Sequence, residues 1–185
     1  MKRNSYVRAI EARIKQVPDR PGLCLYYTHH VASILHEHGL SPLIQAGSLQ
    51  WPRIMPDEDD GVSATHFAYM WSPRSISSLA AMCTGALPEM HVWAALANTQ
   101  ELIDFSTRHI KAHAATFGFS WSAPNPPSYL WATFDHIPDR VVYTPNRDAT
   151  LLACRILDEL YLPKYLEVTK PLVTRRDFNE NDRQS

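Results

Sequence analysis

Three side chains in this sequence have the types and spacing for covalent chemistry: the thiol of Cys24, the imidazole of His91 and the carboxylate of Asp104. A thiol attacks a carbonyl carbon well when a base takes its proton and when nearby positive potential stabilises the thiolate. The base works best when a third polar group holds one ring nitrogen and leaves the other free to act. Cys24 follows the breaking segment Pro18-Asp19-Arg20-Pro21-Gly22 and opens an apolar helical pattern, so it falls in the first turn of a helix, where backbone N–H groups favour negative charge. His91 and Asp104 lie in Met90 to Leu96 and Glu101 to Phe105, two apolar runs that read as the strands of a hairpin. A two-residue turn at Ala97-Asn98 pairs Val92 with Ile103 and His91 with Asp104. Opposed residues share a face with β-carbons roughly 5 Å apart, within reach of a carboxylate–imidazole hydrogen bond. The chemistry implied is a thioester on Cys24, resolved by water or an amine and needing no redox cofactor.

Helices and strands must bring these groups together. Tyr6, Val7, Ile10, Ile14 and Val17 recur at three- and four-residue intervals between charged residues, which predicts a first amphipathic helix. A second runs from about Leu23 to His38, where Gly39 can take the left-handed cap. Leu43 to Trp51 and His66 to Trp71 read as strands, with Pro56 to Gly61 an acidic turn between them. Pro73 to Cys83 predicts a short helix, and His109 to Pro138 an irregular aromatic and proline-rich wall with one or two strands. Asp148 to Leu160 returns to helical periodicity, with Leu152, Ile156 and Leu160 along its apolar stripe. The expected architecture is α+β, with N-terminal helices packed on an antiparallel sheet. Residues 1–175 form one domain and 176–185 a frayed tail.

The combination Gly22-x-Cys24, a helix ending at Gly39, His91-x-Trp93 and Asp104 thirteen residues after the histidine resembles the core of the transglutaminase-like branch of the papain-like cysteine peptidase superfamily. The resemblance covers roughly Pro21 to Ser106, and Leu23 and Leu25 stand where that family usually has a tryptophan beside its cysteine. It implies a papain-like fold with Cys24 as nucleophile, His91 as base and Asp104 as the group that orients the base. It also implies an oxyanion held by the Cys24 N–H and a second donor. Gln16 lies upstream where papain-like enzymes place a glutamine, with Gln45 or a backbone group as alternatives. The substrate expected is a peptide or small amide, with hydrolysis favoured over acyl transfer. The superfamily also contains transferases and members that have lost catalysis, so a binding module that keeps the fold is the reading from another class.

Other features bound the possibilities. The 185 residues are 45% apolar and include five tryptophans, enough for one proper core. Trp51, Trp93 and Trp131 are candidates to line the substrate cleft, against the commoner role of core aromatics. With 18 Lys and Arg against 19 Asp and Glu, the net charge of −1 gives no general attraction to nucleic acid or anionic membranes. No segment reads as a signal peptide or membrane span, so the expected compartment is the cytoplasm. Of three cysteines, Cys83 and Cys154 sit among apolar residues and read as small buried hydrophobes. Nine histidines raise the question of metal, and His109 with His113 has chelate spacing, but no third ligand at zinc-site spacing accompanies them. Zinc on Cys24, His91 and Asp104 is the sharper form of that alternative, and the acidic run Asp57 to Asp60 lacks a calcium-loop pattern.

Overall fold

The computed structural model describes residues 3–55, 58, 65–72 and 89–159. The helix expected at Pro73 to Cys83, most of the acidic turn and the tail at 176–185 lie outside the described residues. The described elements, in chain order, are α1 (Arg3–Ile14), α2 (Cys24–Glu37), β1 (Pro42–Pro52), β2 (His66–Tyr69), β3 (His91–Leu96), β4 (Glu101–Asp104), α3 (Ile110–Thr116), β5 (Leu130–Thr133), β6 (Val142–Pro145) and α4 (Arg147–Glu159). The architecture is α+β: every strand pairing is antiparallel, and β1 is the hub, bonded to β2, β3 and β6, while β3, β4 and β5 continue the sheet. Among the described residues, no helix is long and apolar enough to cross a membrane.

Strand alternation divides the interior between the two faces of the sheet. Ala94, Leu96, Ile103 and Trp131 pack against Ile10 and Ile14 of α1 and Val31, Ile34 and Leu35 of α2. The alternate residues Trp93, Leu102, Leu130 and Ala132 face the other way, onto Ile110 and Ala114 of α3 and onto Leu49, Phe67 and Tyr143. A third cluster places Ala149, Ala153 and Leu157 of α4 against Ile44, Ala46 and Val92, with Leu25 beside them. The sheet therefore carries α1, α2 and α4 on one face and α3 on the other.

Two expectations need correction here. The buried stripe of α4 is Ala149, Ala153 and Leu157, with Leu152 and Ile156 half-buried. Small residues face the sheet because the helix start lies directly on β1, where Asn146 N–H donates to the Ala46 carbonyl at 2.8 Å and Ala46 N–H donates to Thr150 Oγ1 at 3.0 Å. Between His109 and Pro138 the strand β5 is present as expected, but the segment also contains a helix, α3, and β6 follows beyond it. Alanine at 112, 114 and 115 favours that helix over the irregular wall read from its aromatics and prolines.

Gly47 is the close-contact point of the sheet. A β-carbon there would lie 2.1 Å from the Thr144 carbonyl oxygen, a backbone atom that cannot swing away. Gly47→Ala is expected to lower stability by about 1–3 kcal/mol, seen as a lower urea midpoint, because β6 must back away from β1. An unchanged midpoint would mean that the β1–β6 junction is loose. Gly47 also pairs with His91, so the same residue fixes the path of the strand that carries the imidazole.

Candidate active site

The hairpin differs from its expected form by one step. Leu96 pairs with Glu101 and Ala94 with Ile103, so the turn spans Ala97 to Gln100 and Asp104 falls opposite Trp93. A two-residue turn of the favoured kind needs positive φ at both central residues, which Ala97 resists; the chain instead makes a longer turn with Gln100 at φ 50°. The register moved by two residues, which preserves the face. Asp104 is diagonal to His91, and the His91 Nε2–Asp104 Oδ2 distance is 2.6 Å.

This pair is deeply enclosed, each residue only 1% exposed, so its polar atoms must be satisfied locally. Asp104 Oδ1 accepts from Ser106 N–H at 2.8 Å and Ser106 Oγ at 2.6 Å. Oδ2 accepts from the Tyr143 hydroxyl at 2.7 Å as well as from His91. Burial alone would push the Asp104 carboxyl upward, but the His91 charge and the hydrogen bonds from His91, Ser106 and Tyr143 together hold it below the ordinary range. Burial likewise works against protonation of His91. The Asp104 charge and hydrogen bond, joined by a hydrogen bond and charge from Cys24, outweigh burial and raise the imidazole.

The remaining ring nitrogen, His91 Nδ1, is buried and has no hydrogen bond of ordinary geometry. Cys24 lines the same cavity as His91, and its charge is among the influences that raise the imidazole. Cys24 is the first residue of α2, and no side chain of the N-cap residue, Leu23, closes the helix end. The N–H groups of that first turn have no partner within the helix, so they present positive potential at the sulfur. Gly22, at φ 83°, makes the sharp entry into the helix, and Gly39, at φ 78°, closes its other end as expected.

A residue that carries no chemistry fixes the distance between helix and strand. Thr28, one turn along α2 from Cys24, donates its hydroxyl to the Val92 carbonyl at 2.9 Å, and both residues are buried. Val92 is the neighbour of His91, so this bond ties the thiol helix to the imidazole strand. Beyond it, the Tyr27 hydroxyl donates to the Pro18 carbonyl at 3.3 Å and accepts from His109 Nε2 at 2.9 Å, bracing the loop that leads to Cys24.

Cys24 and His91 open onto one cavity of about 280 Å³, lined by Tyr69, Met90, His113 and Phe117 among others. The three candidate tryptophans do not line it. Trp93 is fully enclosed, its ring 6.2 Å from His91 and its indole N–H donating to Gln45 Oε1 at 3.2 Å, so it is a floor beneath the pair. Trp131 faces the opposite helix layer and Trp51 a separate groove beside Pro124 and Arg140. Gln16 is exposed and lines another groove, with Val17, Pro18 and Arg20. Gln45 is buried behind Trp93.

The histidines separate by role. His109 bonds Tyr27, and His113 Nδ1 lies 2.7 Å from the Tyr69 hydroxyl, so the i,i+4 pair does not act as a chelate. Among the described residues, no three His, Cys, Asp or Glu side chains form a metal-holding group. His29 is held down to about 4, by burial first and then by the charges of His30 and Arg13. Cys154 is pushed up to about 11 by burial and by Asp158, which fits a packed, unreactive thiol; Cys83 lies outside the described residues.

Sequence reasoning did not place Ser106, Tyr143, Thr28 or Tyr69 at the site, and it read His113 only as a possible metal ligand with His109. Ser106 carried a local signal, because an acid followed two residues later by serine commonly closes on itself as a turn. The others reach the site across 39 or more positions of chain and leave no local pattern. No protein-family model, no curated protein and no solved structure matches this chain.

Proposed function

We propose that this chain is a cysteine-nucleophile hydrolase of amide or peptide bonds, built on a papain-like, transglutaminase-like arrangement. The observation that carries the reading is the convergence, on one cavity, of a helix-start thiol with a buried imidazole whose far nitrogen is tied to a fully bonded carboxylate. In this reaction the Cys24 proton resides on His91 as the imidazolium that Asp104 stabilises, and the sulfur forms a bond to the carbonyl carbon while the π electrons move onto oxygen. The backbone N–H groups at the start of α2 stabilise that oxygen. The intermediate collapses to a thioester, the amine leaving with the proton held by His91. Water then gives a proton to His91 and attacks the thioester, and the carbon–sulfur bond breaks to release the acid. An amine in place of water would make the same machinery an acyltransferase.

The deciding experiment is competitive alkylation of the native protein with iodoacetamide, each cysteine being followed by mass spectrometry. Cys24 is expected to react well ahead of Cys154, whose thiol is pushed up to about 11. Reaction of Cys24 at the pace of Cys154, or only after unfolding, would remove the nucleophile and leave a non-catalytic binding module as the reading.

A further inference from the structure

An attacking thiolate needs a second donor for the oxygen it charges, and neither glutamine suggested for that task reaches the cavity. Gln16 is exposed in a different groove, and Gln45, although its Nε2 is buried without a hydrogen-bond partner, does not line the Cys24 cavity. Tyr69 does line that cavity. It pairs with Leu49 on β1, two residues from Gly47, which pairs with His91, so Tyr69 and His91 share a sheet face. Their ring centroids are 5.0 Å apart, and Tyr69 and His113 line the same cavity as Cys24.

We propose that the Tyr69 hydroxyl, backed by His113, is the side-chain donor that holds the oxyanion formed when Cys24 attacks a carbonyl. The assignment rests on the reading of Cys24 as nucleophile. Its basis is the 2.7 Å contact between Tyr69 Oη and His113 Nδ1 at the wall of the Cys24 cavity. Burial, reinforced by the charge on His91, holds His113 below the ordinary imidazole value, so it is neutral and carries one ring proton. When that proton is on Nδ1 it donates to the Tyr69 oxygen and leaves the phenol hydrogen free to point into the cavity. Burial, then the negative charges on Cys24, Asp104 and Glu89, raise the phenol further, so it stays protonated and acts as a donor without giving up its proton. In the step itself the sulfur–carbon bond forms, the π pair moves to oxygen and the phenol O–H bonds to that oxygen. On collapse the C=O bond re-forms and the leaving group departs with its electron pair.

Two reagents separate this role from the role of the thiol. Iodoacetamide is displaced at a saturated carbon, with iodide leaving, and places no new charge on a carbonyl oxygen. p-Nitrophenyl acetate acylates the thiol through an oxyanion and expels p-nitrophenolate, which is read by its colour. In Tyr69→Phe the acylation burst is expected to slow about a hundred- to a thousand-fold, the usual loss for one oxyanion donor, while alkylation of Cys24 keeps its native rate. Acylation at the native rate in that variant would overturn the assignment and leave the nucleophile reading intact. Equal loss of both reactions would also overturn it, by making Tyr69 a support of the thiol. If native Cys24 gives neither reaction, the nucleophile reading itself fails and the assignment falls with it.

Discussion

Asp104→Asn is expected to destabilise the native protein by about 3–5 kcal/mol at neutral pH, the usual cost of removing one member of a buried, hydrogen-bonded charge pair. The variant keeps the shape of the side chain but withdraws the charge that offsets the burial of His91, and it places an amide where the carboxylate accepted four hydrogen bonds. Its dependence on pH follows from the two shifts. Asp104 is depressed from its ordinary 3.8, so its contribution is present above that value and disappears as pH falls through the folded value. His91 is raised from 6.5, so its contribution is complete below that value and is lost as pH rises through the folded value. The advantage of native protein over variant should therefore be largest between the two ordinary values and shrink on either side. Paired urea titrations across the pH range measure that difference directly, which cancels the titration of the other histidines. An advantage that keeps growing above pH 6.5 would mean that the pair is not held as carboxylate and imidazolium.

His91→Ala is expected to slow acylation of Cys24 by p-nitrophenyl acetate about a hundred- to ten thousand-fold, the range typical of a positioned general base. On the proposed mechanism the mutation removes the imidazole that takes the thiol proton and, once protonated, stabilises the thiolate, and it leaves Asp104 with its bonds from Ser106 and Tyr143. It also opens a space beside Trp93, so free imidazole in the assay is expected to recover part of the rate. A variant that acylates at the native rate would show that Cys24 reacts without a base and that the His91–Asp104 pair serves stability alone.

Much of the scaffold was legible because its signals are local. The cysteine sits at a break between proline, glycine and an apolar helix, and α2 begins and ends within one residue of the expected bounds. The His91–Asp104 pairing survived an incorrect turn because strand side chains alternate with period two, and the actual register differs by two. A slip of one would have separated the pair. The α4 stripe was misplaced because periodicity favours large apolar residues, whereas close approach to β1 at Ala46 selects alanine. The residues around the pair were not legible, since Tyr69 meets His113 over 44 positions and Tyr143 meets Asp104 over 39, and no local propensity encodes such meetings.

The thiol and the imidazole belong to different interiors. Cys24 packs with the cluster beneath α2 and α4, while His91 lies against Trp93 and Tyr143, which belong to the cluster under α3. The two residues therefore border one cavity from a seam, with the Thr28–Val92 bond as a stitch across it. Any shift of α2 on the sheet moves Cys24 away from His91 and must break that bond and the packing beneath α2 together.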